Sequence, residues 1–123
     1  MPTAIDFLDG LMPSGGIEAM YAANKALALE ARCLLAERLS LELPAPDEMI
    51  GSLATLPLPD GPPVEAGTTD SLAQALFAKH RIELPVVHWP KAGRRWFRIS
   101  AMIYNERAEY ERLGEALAEE IAR

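Results

Sequence analysis

Little in this chain can be cross-linked or can hold a soft metal. A single cysteine, Cys33, stands among 123 residues, so no intrachain disulfide can form and a thiolate cage is excluded. Histidine is as scarce. His80 and His88 are the two present, and no cysteine or carboxylate stands at ligand spacing around both, so no metal is expected. No apolar run approaches the roughly 20 residues that a membrane-crossing helix needs. The N-terminus, MPTAIDFLDG, carries acids where a signal peptide carries positive charge. The expectation is a cytoplasmic protein with no membrane partner. Positive charge is in deficit overall, with a formal net charge of -6. Nucleic-acid binding relies on lysine and arginine to neutralise phosphates, so no nucleic-acid partner is expected either.

What is there suits one soluble domain: 50% of the residues are hydrophobic and 24% charged. Pro2 to Leu8 reads as a short helix with Ile5 and Leu8 on one side, broken by Gly10 and Pro13. Ser14 is then the expected N-cap of a long helix from about Gly15 to Leu39. Its apolar stripe is Ile17, Met20, Leu27, Ala31, Leu34 and Leu35. Beside it runs a second strip of Ala22, Ala26, Leu29, Cys33 and Ala36, and the charges Glu18, Lys25 and Arg32 mark a narrow wet face. A surface helix needs one stripe. The second strip is therefore either alanine acting as a neutral helix former or a contact with something outside the chain.

After Pro44 and Pro46, Met49 to Leu56 reads as a strand, ended by Pro57 and Pro59. Asp60 to Thr69 is a loop. Asp70 or Thr69 caps a short helix through His80, with Leu72, Ala73, Leu76 and Phe77 on its buried side. Ile82 to Trp89 is a second strand, which Pro85 confines to an edge or a bulge. A turn at Lys91 to Arg94 leads into a third strand, Arg95 to Ile103, which must be antiparallel to the second. Glu106 to Ala122 closes the chain as a helix, with Tyr110, Leu113, Leu117 and Ile121 on one stripe. The fold class is α+β: a two-layer sandwich of a three-stranded, mainly antiparallel sheet with helices on one face.

The third strand carries the most chemistry. Alternation sends Phe97, Ile99 and Ala101 one way, and Trp96, Arg98, Ser100 and Met102 the other. The first set suits a core under the helices. An arginine on the second face either stays solvated or meets a carboxylate or phosphate with its forked donors.

The run from Arg98 through Ser100 to Tyr104 and Asn105, followed by Glu109, Tyr110 and Leu113, resembles the C-terminal signature of class V aminotransferase-like proteins. The likeness is nearest to their isopenicillin N epimerase-like members. Gly51 to Pro59 is similar to the first small-domain strand of that group, Ile82 to Trp89 to the second, and Asn24 to Ala31 to the long helix. The four segments stand in the same order, and the likeness covers essentially the whole chain.

The resemblance implies that Arg98 pairs with the α-carboxylate of an amino-acid substrate, a task suited to a planar bidentate donor. Ser100 and Asn105 match the motif as structural residues. It also implies that pyridoxal phosphate sits on a lysine of a separate large domain. Residues 1–13 would connect to that domain, and 14–123 would be the small C-terminal domain, with no cofactor of its own and no catalytic residue. Lys25, Lys79 and Lys91 read as solubilising charges, and Ser14-Gly15-Gly16 as a helix start rather than a phosphate cradle. Cys33 lies within a helix as a small apolar filler, unlike the loop cysteine of the related desulfurases. His88 and Trp89 read as a packed strand edge, and the acid pairs Asp47-Glu48 and Glu119-Glu120 as solvated. The chain would then be a domain of a pyridoxal-phosphate enzyme, inactive alone, whose partner is the large domain or a second copy of itself. The alternative is a non-catalytic interaction module that keeps the fold.

Overall fold

A computed structural model describes residues 2–65 and 67–123. Ala66 of the expected loop and Met1 of the N-terminal segment lie outside the described residues. Four helices and three strands follow in chain order: α1 (Pro2–Asp9), α2 (Gly16–Leu39), β1 (Leu53–Pro57), α3 (Ser71–Ala75, continued by a π-helical turn, Leu76–His80), β2 (Val86–His88), β3 (Arg95–Ser100) and α4 (Arg107–Ile121). A 3₁₀ turn, Asp47–Met49, precedes β1. The sheet is antiparallel throughout in the order β1-β3-β2, so Pro85 and β2 lie on an edge. The α+β sandwich stands as read.

The core is the face where β3 meets the helices. Phe97, Ile99 and Ala101 are buried together with Ala54, Leu56, Leu35, Leu76, Leu113 and Leu117. Fully burying a side chain such as Phe97 or Leu56 contributes about 1.5–3 kcal/mol before ordering costs. α2 lies along α4, and Gly114 is what lets them come so close: a Cβ there would stand 2.8 Å from Arg38 Cδ and 3.3 Å from Leu35 Cδ2. Mid-helix glycine costs up to about 1 kcal/mol against alanine, and close helix packing offsets it here.

Three local expectations change. Ser14 does not cap α2. Gly15 does so with a left-handed backbone, and the side-chain cap comes from the preceding helix, where Asp9 Oδ1 accepts Ile17 N–H at 2.8 Å. Gly16, at φ 59°, leaves room for that carboxylate, since a Cβ would stand 2.3 Å from Asp9 Oδ1. A charge-bearing acceptor at a helix N-terminus outcompetes a hydroxyl, and the two glycines let the chain fold back to reach it.

Second, Arg32 is not on a wet face. It is 2% exposed, with Nη1 donating to Ala45 O at 2.9 Å and Nη2 bonded to Asp47. It ties the segment before β1 to the middle of α2. Third, Phe77 is 55% exposed, because the helix it was placed on loosens into the π turn. In the second strip of α2, Ala22, Ala26 and Cys33 are exposed, whereas Leu29 is half-buried and Ala36 joins the core.

The strands are shorter than their sequence patterns. β1 begins at Leu53, opposite Ser100, and Ser52 O takes Ala101 N–H at 2.8 Å, so no partner remains for β3 beyond Ala101. On the other edge Arg98 N–H reaches Pro85 O at 3.2 Å. Proline has no N–H to return, and β2 pairing stops there.

Candidate functional site

Arg98 stands where alternation put it, exposed on the sheet face that bears no helix, opposite Thr55. Trp96, Val87 and Leu53 share this face, with Leu53 48% and Val87 52% exposed. Beside Arg98, where segment 81–85 leaves the ladder and α4 begins, a groove of about 610 Å³ opens. Arg81, Arg98, Arg112, Glu83, Tyr104 and Asn105 are on its walls.

The groove is held in shape by the turn after β3. Asn105 Oδ1 accepts Met102 N–H at 3.0 Å, and its Nδ2 donates to Glu109 Oε2 at 3.2 Å. Glu109 in turn accepts Glu106 N–H at 2.7 Å, completing a capping box at the start of α4. Asn105 is therefore the structural residue it was expected to be. Ser100 contributes its carbonyl, which accepts from Tyr110 Oη at 2.6 Å. Burial pushes the Tyr110 hydroxyl above its ordinary range, with the neighbouring Glu109 acting in the same direction. It stays a donor.

A second cluster lies on the opposite face of the sheet and was only half visible in the sequence. Asp70, 2% exposed, caps α3 by accepting Leu72 N–H at 2.7 Å, and its other oxygen meets His88 Nε2 at 2.7 Å. Gly93 N–H donates to His88 Nδ1 at 2.8 Å, which leaves Nε2 to carry the proton toward Asp70. Arg95, 9% exposed, stands 3.6 Å from Asp70 and donates to Pro59 O at 2.9 Å. His88 is thus a packed edge residue, as expected, but one locked to a buried acid. The missed signal was available: Arg95 has the same parity as Phe97, Ile99 and Ala101, so alternation sends it inward.

At the far end of α4, Glu120 is not solvated, contrary to expectation. Its side chain is 4% exposed and accepts from Lys79 Nζ at 2.8 Å, with His80 Nε2 at 3.1 Å. The Lys79 ammonium, followed by His80, holds the Glu120 carboxyl below the usual carboxylate range. His80, Glu119 and Glu120 bring ligand atoms within 4.8 Å of one another, but Lys79 and Arg123 already supply positive charge to these acids. The arrangement is an ion network joining α3 to α4.

Lys79 is therefore engaged, and neither Lys25 nor Lys91 lines the groove. Cys33 is exposed on α2 rather than a buried filler, and it too lies outside the groove. Among the described residues no helix is long and apolar enough to cross a membrane.

No protein-family model matches the chain. In sequence it is similar to a protein of Oryza sativa subsp. japonica named "Putative L-cysteine desulfhydrase 2", at 28% identity over 142 aligned residues that take in 99% of this chain. The chain spans 29% of that relative's length, so the likeness runs from end to end of the chain but to one part of the longer protein.

Proposed function

We propose that this chain works as the small domain of a pyridoxal-phosphate-dependent enzyme of the class V aminotransferase type. In this reading it offers Arg98 to the α-carboxylate of an amino-acid substrate. One observation carries the reading: a mid-strand arginine, exposed on an open sheet face and without a carboxylate partner among the described residues, at the position where the family motif has its substrate anchor. The similarity to a protein named for a desulfhydrase supports a pyridoxal-phosphate setting and adds cysteine to the candidate substrates.

In this reading the cofactor is attached in another domain and the isolated chain is expected to be inactive; no lysine lines the Arg98 groove among the described residues, which is consistent with that division. Bound pyridoxal phosphate would supply the electron sink for bond cleavage at the substrate α-carbon. This chain's share is to hold the carboxylate, with a forked donor that fixes its plane as well as its position. The nearer resemblance, to isopenicillin N epimerase-like members, rests on Gly51 to Pro59, Ile82 to Trp89 and Asn24 to Ala31. A non-catalytic interaction module is the second reading, favoured by the exposed Leu53, Val87 and Trp89 on and beside the open face.

Two measurements test the proposal. Arg98→Leu in a polypeptide that joins this domain to its cofactor domain should weaken substrate use by about tenfold or more, the cost of a charge-assisted bidentate contact; unchanged KM and kcat would remove Arg98 as the anchor. The chain alone, mixed with pyridoxal phosphate and reduced with borohydride, should show no stoichiometric adduct at any single lysine. Such an adduct, with amino-acid turnover, would end the inactive-domain reading.

A further inference from the structure

The nine arginines of the chain sort into two groups by position. Arg32, Arg38, Arg94, Arg95, Arg107 and Arg123 each pair with a carboxylate. Arg81, Arg98 and Arg112 have no carboxylate partner among the described residues, and all three line the groove beside β3. In a protein of net charge -6 with 18 acids to 12 lysines and arginines, carboxylates are abundant, yet these three arginines on one groove form no ion pair among the described residues.

We infer that Arg81 and Arg112 form a second anion subsite next to Arg98, so that the groove takes a dicarboxylate. The inference rests on the preceding reading only for Arg98, which would hold the first carboxylate. The supply of donors is sufficient. Arg112 gives one bond, from Nη2 to His80 O at 2.5 Å, and keeps four of its five N–H groups. Arg81 lies at the end of α3 in the left-handed conformation, φ 57°, where the helix turns into the groove-lining segment.

Two acids share the groove. Glu109 is committed to Glu106 N–H and Asn105. Glu83 is exposed and forms no ion pair among the described residues, so it is the charge that an incoming anion meets as a repulsion. An amino acid with a side-chain carboxylate satisfies both ends of the groove; one with a neutral side chain leaves Arg81 and Arg112 without a partner.

The test uses the chain alone, without cofactor. Amide chemical shifts are followed while succinate, propionate or inorganic phosphate is added at fixed ionic strength. Succinate should move groove resonances and bind about tenfold more tightly than propionate. Arg81→Ala with Arg112→Ala should remove that advantage while leaving propionate binding unchanged. Glu83→Gln should tighten succinate by about threefold, a gain that a folding defect cannot mimic. Equal binding of succinate and propionate, indifference to the double substitution, or phosphate binding as tightly as succinate would each overturn the dicarboxylate subsite. If Arg98→Leu is silent while the double substitution still abolishes the advantage, the subsite stands and the Arg98 anchor falls.

Discussion

Arg95 and Arg98 are three residues apart on one strand and live in opposite worlds. Arg95 faces the core, 9% exposed, beside the buried Asp70 and the Pro59 carbonyl. Arg98 faces outward and forms no ion pair among the described residues. An odd separation on a strand reverses the face, and the face decides the electrostatics. A buried guanidinium must be paired to be tolerated at all, whereas an exposed one is free to serve a ligand. The same side chain is a structural clamp on one side of the sheet and a candidate recognition group on the other.

Substitutions at the two faces should separate those roles, and the buried side should respond most. Asp70→Ala strips a partner from Arg95 and His88 and removes the α3 cap at once, so urea denaturation should show a loss of about 3–5 kcal/mol. A loss below about 1 kcal/mol would mean that Arg95 reaches water, and the contrast with Arg98 would dissolve. Asp9→Ala tests a cap that is exposed rather than buried. It should cost about 1 kcal/mol and speed hydrogen exchange at the Ile17 amide, with little change at Leu72.

Acid sharpens the comparison at a third place. Because Lys79 and His80 hold the Glu120 carboxyl below its ordinary value of 4.5, the folded chain gives up that proton more readily than the unfolded one. The stabilisation is thus complete above the ordinary value and fades as pH drops through the folded one. Glu120→Gln should flatten the acid limb of the stability curve, and an unaltered limb would show that the network joining α3 to α4 is inert. Smallest of all should be Arg98→Leu, which should change stability by no more than about 0.5 kcal/mol. A larger loss would make Arg98 a structural residue like its neighbour Arg95.

Periodicity made much of this legible. The alternation of β3 placed Phe97 and Ile99 inside and Arg98 outside, and the stripe of α4 located Tyr110, Leu113 and Leu117. Asp70 read as a cap because its chemistry is local: an acid two residues before the N–H it accepts. What failed was non-local. Nothing near Ser14 announces that Asp9 will reach across two glycines to Ile17. Arg32, seven residues from Lys25, looked like its companion on a wet face until the segment carrying Asp47 closed over it. Glu120 looked solvated because its partners, Lys79 and His80, lie about 40 residues earlier. Ion pairs of this kind depend on which elements meet, and a helix or strand pattern does not say which.

The ring of Pro85 has an effect larger than its size. The Pro85 carbonyl accepts from Arg98 N–H, but the ring nitrogen has no hydrogen to return, which halts the outer strand like a stop on a zip, one tooth before the fabric would close. Were that tooth present, segment 81–85 could run on beside β3 and seal the gap. A missing hydrogen atom thus keeps a doorway open beside the guanidinium.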